Sequence, residues 1–460
     1  MIGDLDELRF EGGYPTAESI RKLYDQLDLQ RAAQAYLDFI PAMSMQAVLD
    51  AHQRDYGVSE TGGMIVYVEP GEGKSIAIGL TYNTESVYAS LSLDLKQTGP
   101  AVIEVPPKVL GIIDDGFMRF VADLGNAGLD RGQGGKYQLL PPGYEGDVPE
   151  GYFVFRSTTY RNWVMVRGFE QITGRGDAAL AYYREHFKVY PLGEGVHQAG
   201  VVSASFKEGD TTHPRDIRYF ERLNAMVQYE PVSAFTAEQL GLLHALGIAK
   251  GAQFQPDERL RRILADGARL GDGMAKAIAF ASRDPQARVY PDRHWERLFI
   301  GGYTFERDGA RLLDARTLFH YCAIVVTPAM EAKMVGVGSQ YLTTYKDASG
   351  AYLDGGQDYR LRLPAGIPAK DFWSVTVYDA ETRSLLQNGQ PKPSISTFDQ
   401  PDVNPDGSVD ISFGPAAPKG KEKNWVQTVP GKGWFVFVRF YGPLEPFFEQ
   451  TWRPDDIVRV

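Results

Sequence analysis

After Tyr14-Pro15 the chain places Ile20, Leu23, Tyr24 and Leu27 at the i, i+3, i+4, i+7 spacing of one helical face, and Thr16 stands where an N-cap belongs. This predicts an opening helix to about Ile40. Pro41 removes a backbone donor and is expected to break or kink it, with a shorter helix through Val48 and Leu49 before Gly57. From Gly63 to Trp163 the pattern changes to short β-branched and aromatic runs: Met64 to Val68, Ser75 to Leu80, Ser86 to Leu93, Ala101 to Val105, Tyr137 to Leu140 and Tyr152 to Phe155. Turns rich in Gly, Pro and Asp separate them, so they read as strands.

Between Gly174 and Lys333 the 3.6-residue period returns, in Leu180, Tyr183 and Phe187, in Leu240, Leu243 and Leu246, in Leu260, Ile263 and Leu264, and from Leu312 to Met330. Gly267, Gly271 and Gly273 fall inside the run Asp257 to Asp284 and each costs about 1 kcal/mol in a helix, which predicts a kink or a close helix contact. Strands resume as Tyr341 to Tyr345, Tyr359 to Leu363, Phe372 to Tyr378, Val409 to Phe413 and Trp434 to Phe440. The expected fold class is α+β. It comprises N-terminal helices (1–60), a β-rich domain (61–172), a mainly helical connection (173–335) and a C-terminal antiparallel β-sandwich (336–460).

Composition narrows the function. Of 460 residues, 59 are acidic and 48 basic, a formal charge of -11, which argues against nucleic acid as a partner. A single cysteine, Cys322, excludes an intrachain disulfide and a thiolate metal cage. No run reaches the ~18 apolar residues of a membrane span. The acidic start shows no secretory signal, so the expected location is cytoplasmic, or periplasmic if a signal has been removed. Aromatics at 12% on a polar chain predict faces that need covering, hence a homo-oligomer.

Most motif candidates dissolve on inspection. Gly71-Glu72-Gly73-Lys74-Ser75 lacks the glycine a phosphate loop needs at Val68 and reads as a hairpin turn. Gly132-Gln133-Gly134-Gly135-Lys136 has Tyr137 where the dinucleotide fingerprint needs glycine, and reads as a loop before a strand. No G-x-S-x-G nucleophile elbow occurs. His320 and Cys322, two apart on a helix, diverge by roughly 200° and cannot share an ion. His52, His186, His197, His213, His244 and His294 show no metal-binding spacing, so no metal and no cofactor is expected. Polar residues beside aromatics at strand ends remain, around Tyr82-Asn83, Arg161, Arg293-His294, Asp379 and Arg383.

Leu93-Asp94-Leu95 through Gly99-Pro100, with Ile103-Glu104-Val105-Pro106, resembles the bacterial domain of unknown function numbered 1254. Phe372 to Asp379, Thr382-Arg383, Asp406 to Asp410, Gly414-Pro415, Asn424-Trp425, Tyr441-Gly442-Pro443 and Trp452-Arg453-Pro454 resemble its usual C-terminal companion, numbered 1214. The resemblance implies an α+β unit, a helical connection and a jelly-roll-like sandwich, and brings no chemistry. From the residues themselves, Arg161, Arg383 and Arg439 are expected to converge with Tyr82, Asn83 and Trp425 on an anionic or sugar-like small molecule, because guanidinium binds oxyanions through paired donors. His294 is the candidate acid–base group, with Asp379 or Glu445 as its carboxylate. The expected function is a cofactor-independent enzyme of hydrolase or proton-transfer type. The alternatives are a non-catalytic small-molecule or carbohydrate binder and an oligomeric assembly module.

Overall fold

Thr16 caps the first helix, its hydroxyl accepting from Ser19 N at 3.3 Å, and α1 runs unbroken from Ala17 to Arg54. The computed structural model describes residues 8–67, 77–196, 200–204, 207 and 209–460. Pro41 lies inside α1, so the expected end near Ile40 and the separate second helix are corrected to one element. Its neighbours Tyr36, Phe39, Ile40, Met43 and Met45 are fully buried. At about 1.5–3 kcal/mol for each large apolar side chain, that burial outweighs the ~3 kcal/mol local cost of proline.

Four further helices of the middle region are α2 (Asp177–His186), α3 (Ile217–Tyr229), α4 (Ala237–Ala245) and α5 (Glu258–Phe280), followed by α6 (Leu313–Cys322). The run expected to be helical from Leu312 to Met330 stops at Cys322. Beyond it Ala323-Ile324-Val325-Val326-Thr327 is β-branched and leaves the helix, and only the single turn Pro328–Met330 follows. The glycines of α5 meet α1 closely. A Cβ on Gly267 would stand 2.4 Å from Ala32 Cβ, and one on Gly271 would stand 2.7 Å from the Tyr36 side chain. The expected close helix contact is therefore present at both positions, while Gly273 faces open space.

The N-terminal strands are β1 (Thr61–Tyr67), β2 (Ser86–Asp94), β3 (Ala101–Val105), β4 (Leu110–Asp115), β5 (Phe120–Gly125), β6 (Gly135–Leu140), β7 (Phe153–Arg156), β8 (Arg161–Phe169), β9 (Lys188–Pro191) and β10 (Val201–Ser203). They form a six-stranded sheet of order β10-β1-β2-β8-β4-β5 and a four-stranded sheet of order β7-β6-β3-β9. These two share one apolar core, built from Val87, Leu91, Ile103, Tyr137, Val164 and Val166 among others, with α2 against it through Tyr183. The turn expected at Gly71 to Ser75, the start of the strand expected at Ser75, and His197 lie outside the described residues.

The C-terminal strands are β11 (Ser339–Thr344), β12 (Tyr359–Leu363), β13 (Ala369–Asp379), β14 (Ser394–Ser396), β15 (Val409–Gly414), β16 (Trp425–Gln427), β17 (Trp434–Pro443) and β18 (Val458–Arg459). Two four-stranded sheets result, β11-β17-β13-β14 and β16-β15-β12-β18, and Leu361, Val375, Ile411, Val436 and Val438 fill the core between them. Their pairings are antiparallel except β15 with β16, which is parallel and corrects the all-antiparallel expectation. The whole is a mixed α and β fold with no sheet closed into a barrel among the described residues. No described helix is long and apolar enough to cross a membrane.

Gly267→Ala should destabilise the protein by about 1–3 kcal/mol, because overpacking at Ala32 exceeds the helix-propensity gain. Gly273→Ala, with nothing within 4 Å, should stabilise it by up to about 1 kcal/mol. Urea denaturation midpoints of the two variants check the pair of signs.

Candidate functional site

Side chains alternate across a strand, so β8 divides into Val164 and Val166 on the face toward the second N-terminal sheet and Trp163, Met165 and Arg167 on the other. β17 divides in the same way. Trp434, Val436, Val438 and Phe440 enter the C-terminal core, leaving Phe435, Phe437, Arg439 and Tyr441 on the opposite face. These two outer faces look at each other. Trp163, Met165, Tyr88 and Ile112 from the N-terminal sheet share a cluster with Tyr378, Phe435 and Phe437 from the C-terminal sheet, closed by Met45, Val48 and Leu49 of α1 and by Ile324 to Val326.

Between the faces lies a cavity of about 90 Å3. Arg439, 3% exposed, donates from Nη2 to Thr81 O at 2.7 Å, while its Nη1 is buried without a hydrogen-bond partner. Its guanidinium lies 5.4 Å from the Tyr378 ring centre and 5.0 Å from that of Phe437. Arg167, also lining the cavity, donates to Ser339 Oγ at 3.4 Å, interacts with the Tyr88 hydroxyl and lies 5.7 Å from the Tyr441 ring centre, and Ser339 Oγ shares a 2.6 Å hydrogen bond with Tyr341 OH. Neither arginine forms an ion pair with a carboxylate among the described residues. Glu85, buried nearby, gives its oxygens to Thr84 Oγ1 and Thr84 N and reaches Arg439 only through space.

The loop Leu80–Asn83 forms one wall and is fastened to the C-terminal sheet. Tyr378 OH donates to Tyr82 O at 2.7 Å, and Asn83 Nδ2 donates to Tyr441 OH at 2.9 Å. Opposite stands the crossover after α6, held by two carboxyls. Asp114 Oδ2 accepts from Val326 N at 3.0 Å, and Asp123 Oδ1 accepts from Thr327 Oγ1 at 2.5 Å. Burial pushes the Asp123 carboxyl up to about 6, with the Thr327 hydrogen bond opposing it, and pushes fully buried Asp114 well above the carboxylate range. Two β-branched residues of the lining, Thr81 (φ 50°) and Val325 (φ 75°), sit in the left-handed region. That backbone is costly for their side chains and persists only where the surroundings impose it.

Of the residues singled out from the sequence, Tyr82, Asn83 and Arg439 come together at this cavity. Arg383 does not line it. It is wholly buried, donates from Nε to Tyr321 O at 3.0 Å, and stacks 4.1 Å from the Tyr321 ring centre. Arg161 starts β8, six residues and so roughly 20 Å from Arg167, and holds Gln46 Oε1 at 3.0 Å and Glu60 Oε2 at 3.2 Å. His294 pairs with Asp456, at 3.3 Å, in place of the expected Asp379 or Glu445. Asp379 takes Lys432 Nζ at 2.5 Å, and Glu445 is exposed at the start of the short helix Glu445–Phe448. Trp425 donates from Nε1 to Gly414 O at 3.0 Å, beside a separate surface groove. Sequence reasoning missed Arg167, Asp123 and Tyr341. The sequence signal for Arg167 was an arginine two residues after Met165, on the face of β8 that also carries Trp163 and, at its start, Arg161.

The fully buried imidazoles His52, His213 and His320 are each pushed down to about 3 by desolvation and are neutral. His213 sits between Ser44 Oγ (3.2 Å) and Tyr36 OH (3.1 Å), a structural polar contact beneath α1. Among the described residues no cluster of three or more His, Cys, Asp or Glu side chains is placed to hold a metal.

Fold and site together define a mixed α and β protein whose N-terminal and C-terminal sheets enclose an arginine-lined cavity. The chain belongs to the tandem of two families: the model "Protein of unknown function (DUF1254)" matches residues 67–191, and "Protein of unknown function (DUF1214)" matches residues 338–445. Arg167 lies within the first matched stretch and Arg439 within the second. Among solved structures the chain is similar to the VPA0106 protein of Vibrio parahaemolyticus, at 19% identity over 94% of this chain and 100% of that one, with a TM-score of 0.54. That likeness supports the fold alone. A looser similarity, at 12% identity and a TM-score of 0.41, connects it to a putative uncharacterized protein from Burkholderia cenocepacia over 96% of this chain and 97% of that one. No curated protein matches the chain.

Asp123→Asn tests the carboxyl. Because the folded protein holds this proton above the free carboxyl value, Asp123 costs stability as pH rises from about 4 to about 6. The stability of the variant relative to the parent should therefore climb across that window and level off above it, as read from denaturation midpoints in a pH series.

Proposed function

We propose that the protein binds a small anionic molecule, a carboxylate or phosphate, in the cavity between its two halves, with Arg167 and Arg439 receiving the charge. One observation carries this reading: the Arg439 guanidinium is buried with Nη1 unpartnered beside open space. A buried cation without a counter-charge costs several kcal/mol, and a bound oxyanion returns that energy while using the paired donors. At about 90 Å3 the cavity is well above the roughly 10–15 Å3 needed to admit one water-sized group. Its other walls, Leu80, Ile112, Met165, Phe319 and Val325, suit an apolar body behind the anionic head.

A second reading, proton-transfer catalysis, is favoured by Asp123. This carboxyl lines the same cavity and titrates near 6, where it can either give or accept a proton close to neutral pH. In that reading Asp123 takes the acid–base role first assigned to His294. The finer topology we assign to the C-terminal pair of sheets, a jelly-roll-like sandwich, is supported by their shared core. A homo-oligomer is supported by the exposed Ile20, Tyr24 and Leu27 on one face of α1, and a monomeric mass by light scattering would refute it.

Calorimetric titration with butanoate, benzoate and inorganic phosphate is the test. At least one should bind saturably, and Arg439→Gln and Arg167→Gln should each weaken it tenfold or more. Arg439→Met should lose binding outright, while its thermal stability balances relief of a buried charge against loss of the hydrogen bond to Thr81 O. Binding of none of the three probes, or equal binding by the arginine variants, overturns the proposal.

A further inference from the structure

A second cavity of about 190 Å3 adjoins the first, and Leu298, Met330 and Tyr341 line both. The partition is therefore built from these three residues. Met330 ends a single helical turn, is partly buried, and carries an unbranched side chain that changes rotamer at little cost. Beyond the partition the second cavity is apolar along Val289, Phe299 and Phe447, and polar at Arg297, Lys333 and Gln340. The lining of the second cavity thus combines apolar side chains with charged ones of both signs, Glu331 included.

Resting on the anion reading above, we infer that the ligand is an amphipathic carboxylic acid whose hydrocarbon or aryl tail passes Met330 into the second cavity. The first cavity, at about 90 Å3, is room for the carboxylate and a short stem only. A longer acid with its head on the two guanidiniums has to cross the partition, and the space beyond is large enough to receive it. Because the carboxylate supplies the missing counter-charge and the tail buries apolar surface, the two parts of such a ligand contribute separately to binding.

Titration of the full chain with butanoate, hexanoate and octanoate separates them. Affinity should rise about fourfold for each added CH2, giving more than a hundredfold between butanoate and octanoate. Val289→Trp, which fills the second cavity, and Phe448→Ala, which removes part of its outer wall, should each cut that ratio tenfold or more. If the parent binds octanoate no more tightly than butanoate, the tail assignment falls while the anion site stands. Full retention of the chain-length gain in both variants overturns the placement of the tail. Binding of none of the three acids overturns both the tail and the carboxylate head.

Discussion

Removing a guanidinium from water is costly enough to shape everything around it, and in this protein two such groups project from the middle of two sheets into one narrow space. Arg167 belongs to β8, which has β2 on one side and β4 on the other, and Arg439 belongs to β17, flanked by β11 and β13. The back of each strand is anchored in an apolar core, through Val164 and Val166 in one case and Val436 and Val438 in the other. Neither arginine can move far toward solvent without disturbing packed sheet. Rigid placement of this sort keeps a receptive group aimed while its partner is absent, and it comes from the scaffold, not from the site itself.

The walls that close over these arginines include strained backbone. Thr81 and Val325 hold left-handed conformations that their β-branched side chains disfavour, and both face the cavity. Each is held from outside. Thr81 N donates to Arg383 O at 2.9 Å and Thr81 O accepts from Arg439, while Val326 and Thr327, next to Val325, are gripped by Asp114 and Asp123. Arg383 is thereby explained as a structural clamp, although the sequence suggested a ligand-binding role. Its side chain is buried like that of Arg439 and likewise leaves one nitrogen, Nη2, unpartnered, but its other donors go to the carbonyl oxygens of Tyr321 and Glu381 and it does not line the cavity.

Five of the eight C-terminal strands were legible in the sequence because they are rich in β-branched and aromatic residues, as in Trp434 to Phe440, while Ser394–Ser396, Trp425–Gln427 and Val458–Arg459 are too short to register. β4 and β5 were not legible, since Asp114 and Asp123 interrupt the pattern with polar side chains whose burial depends on partners more than 200 residues away. Periodicity also overran α6: an apolar run satisfies a helical template as well as an extended one, and only its β-branched content distinguished them. For the site, Tyr82, Asn83 and Arg439 were found through their strand-end positions. Arg161 and Arg167 share one strand, and proximity to a strand end selected the wrong one. Facing direction does not separate them, since Arg161, Trp163, Met165 and Arg167 share one face of β8; position along the strand does, Arg161 opening it beside Glu60 and Arg167 lining the cavity.

Charge coupling inside the cavity follows from the same geometry. An anion seated on Arg167 and Arg439 shares the space with the Asp123 carboxyl, and like charges disfavour joint ionisation. Burial has already brought Asp123 to about 6, so even a modest repulsion carries its titration through neutrality. The bound state accordingly favours Asp123 protonated, and the proton then lies on the one titrating group of the cavity wall that also ties down the crossover through Thr327. Protonation need not break that tie, because the second carboxyl oxygen can carry the proton while Oδ1 continues to accept. The arrangement thus unites an anion, a proton and the strained crossover in one enclosed volume. Under the proposed anion binding, ligand uptake and protonation of Asp123 are energetically linked whether or not a bond in the ligand is ever broken.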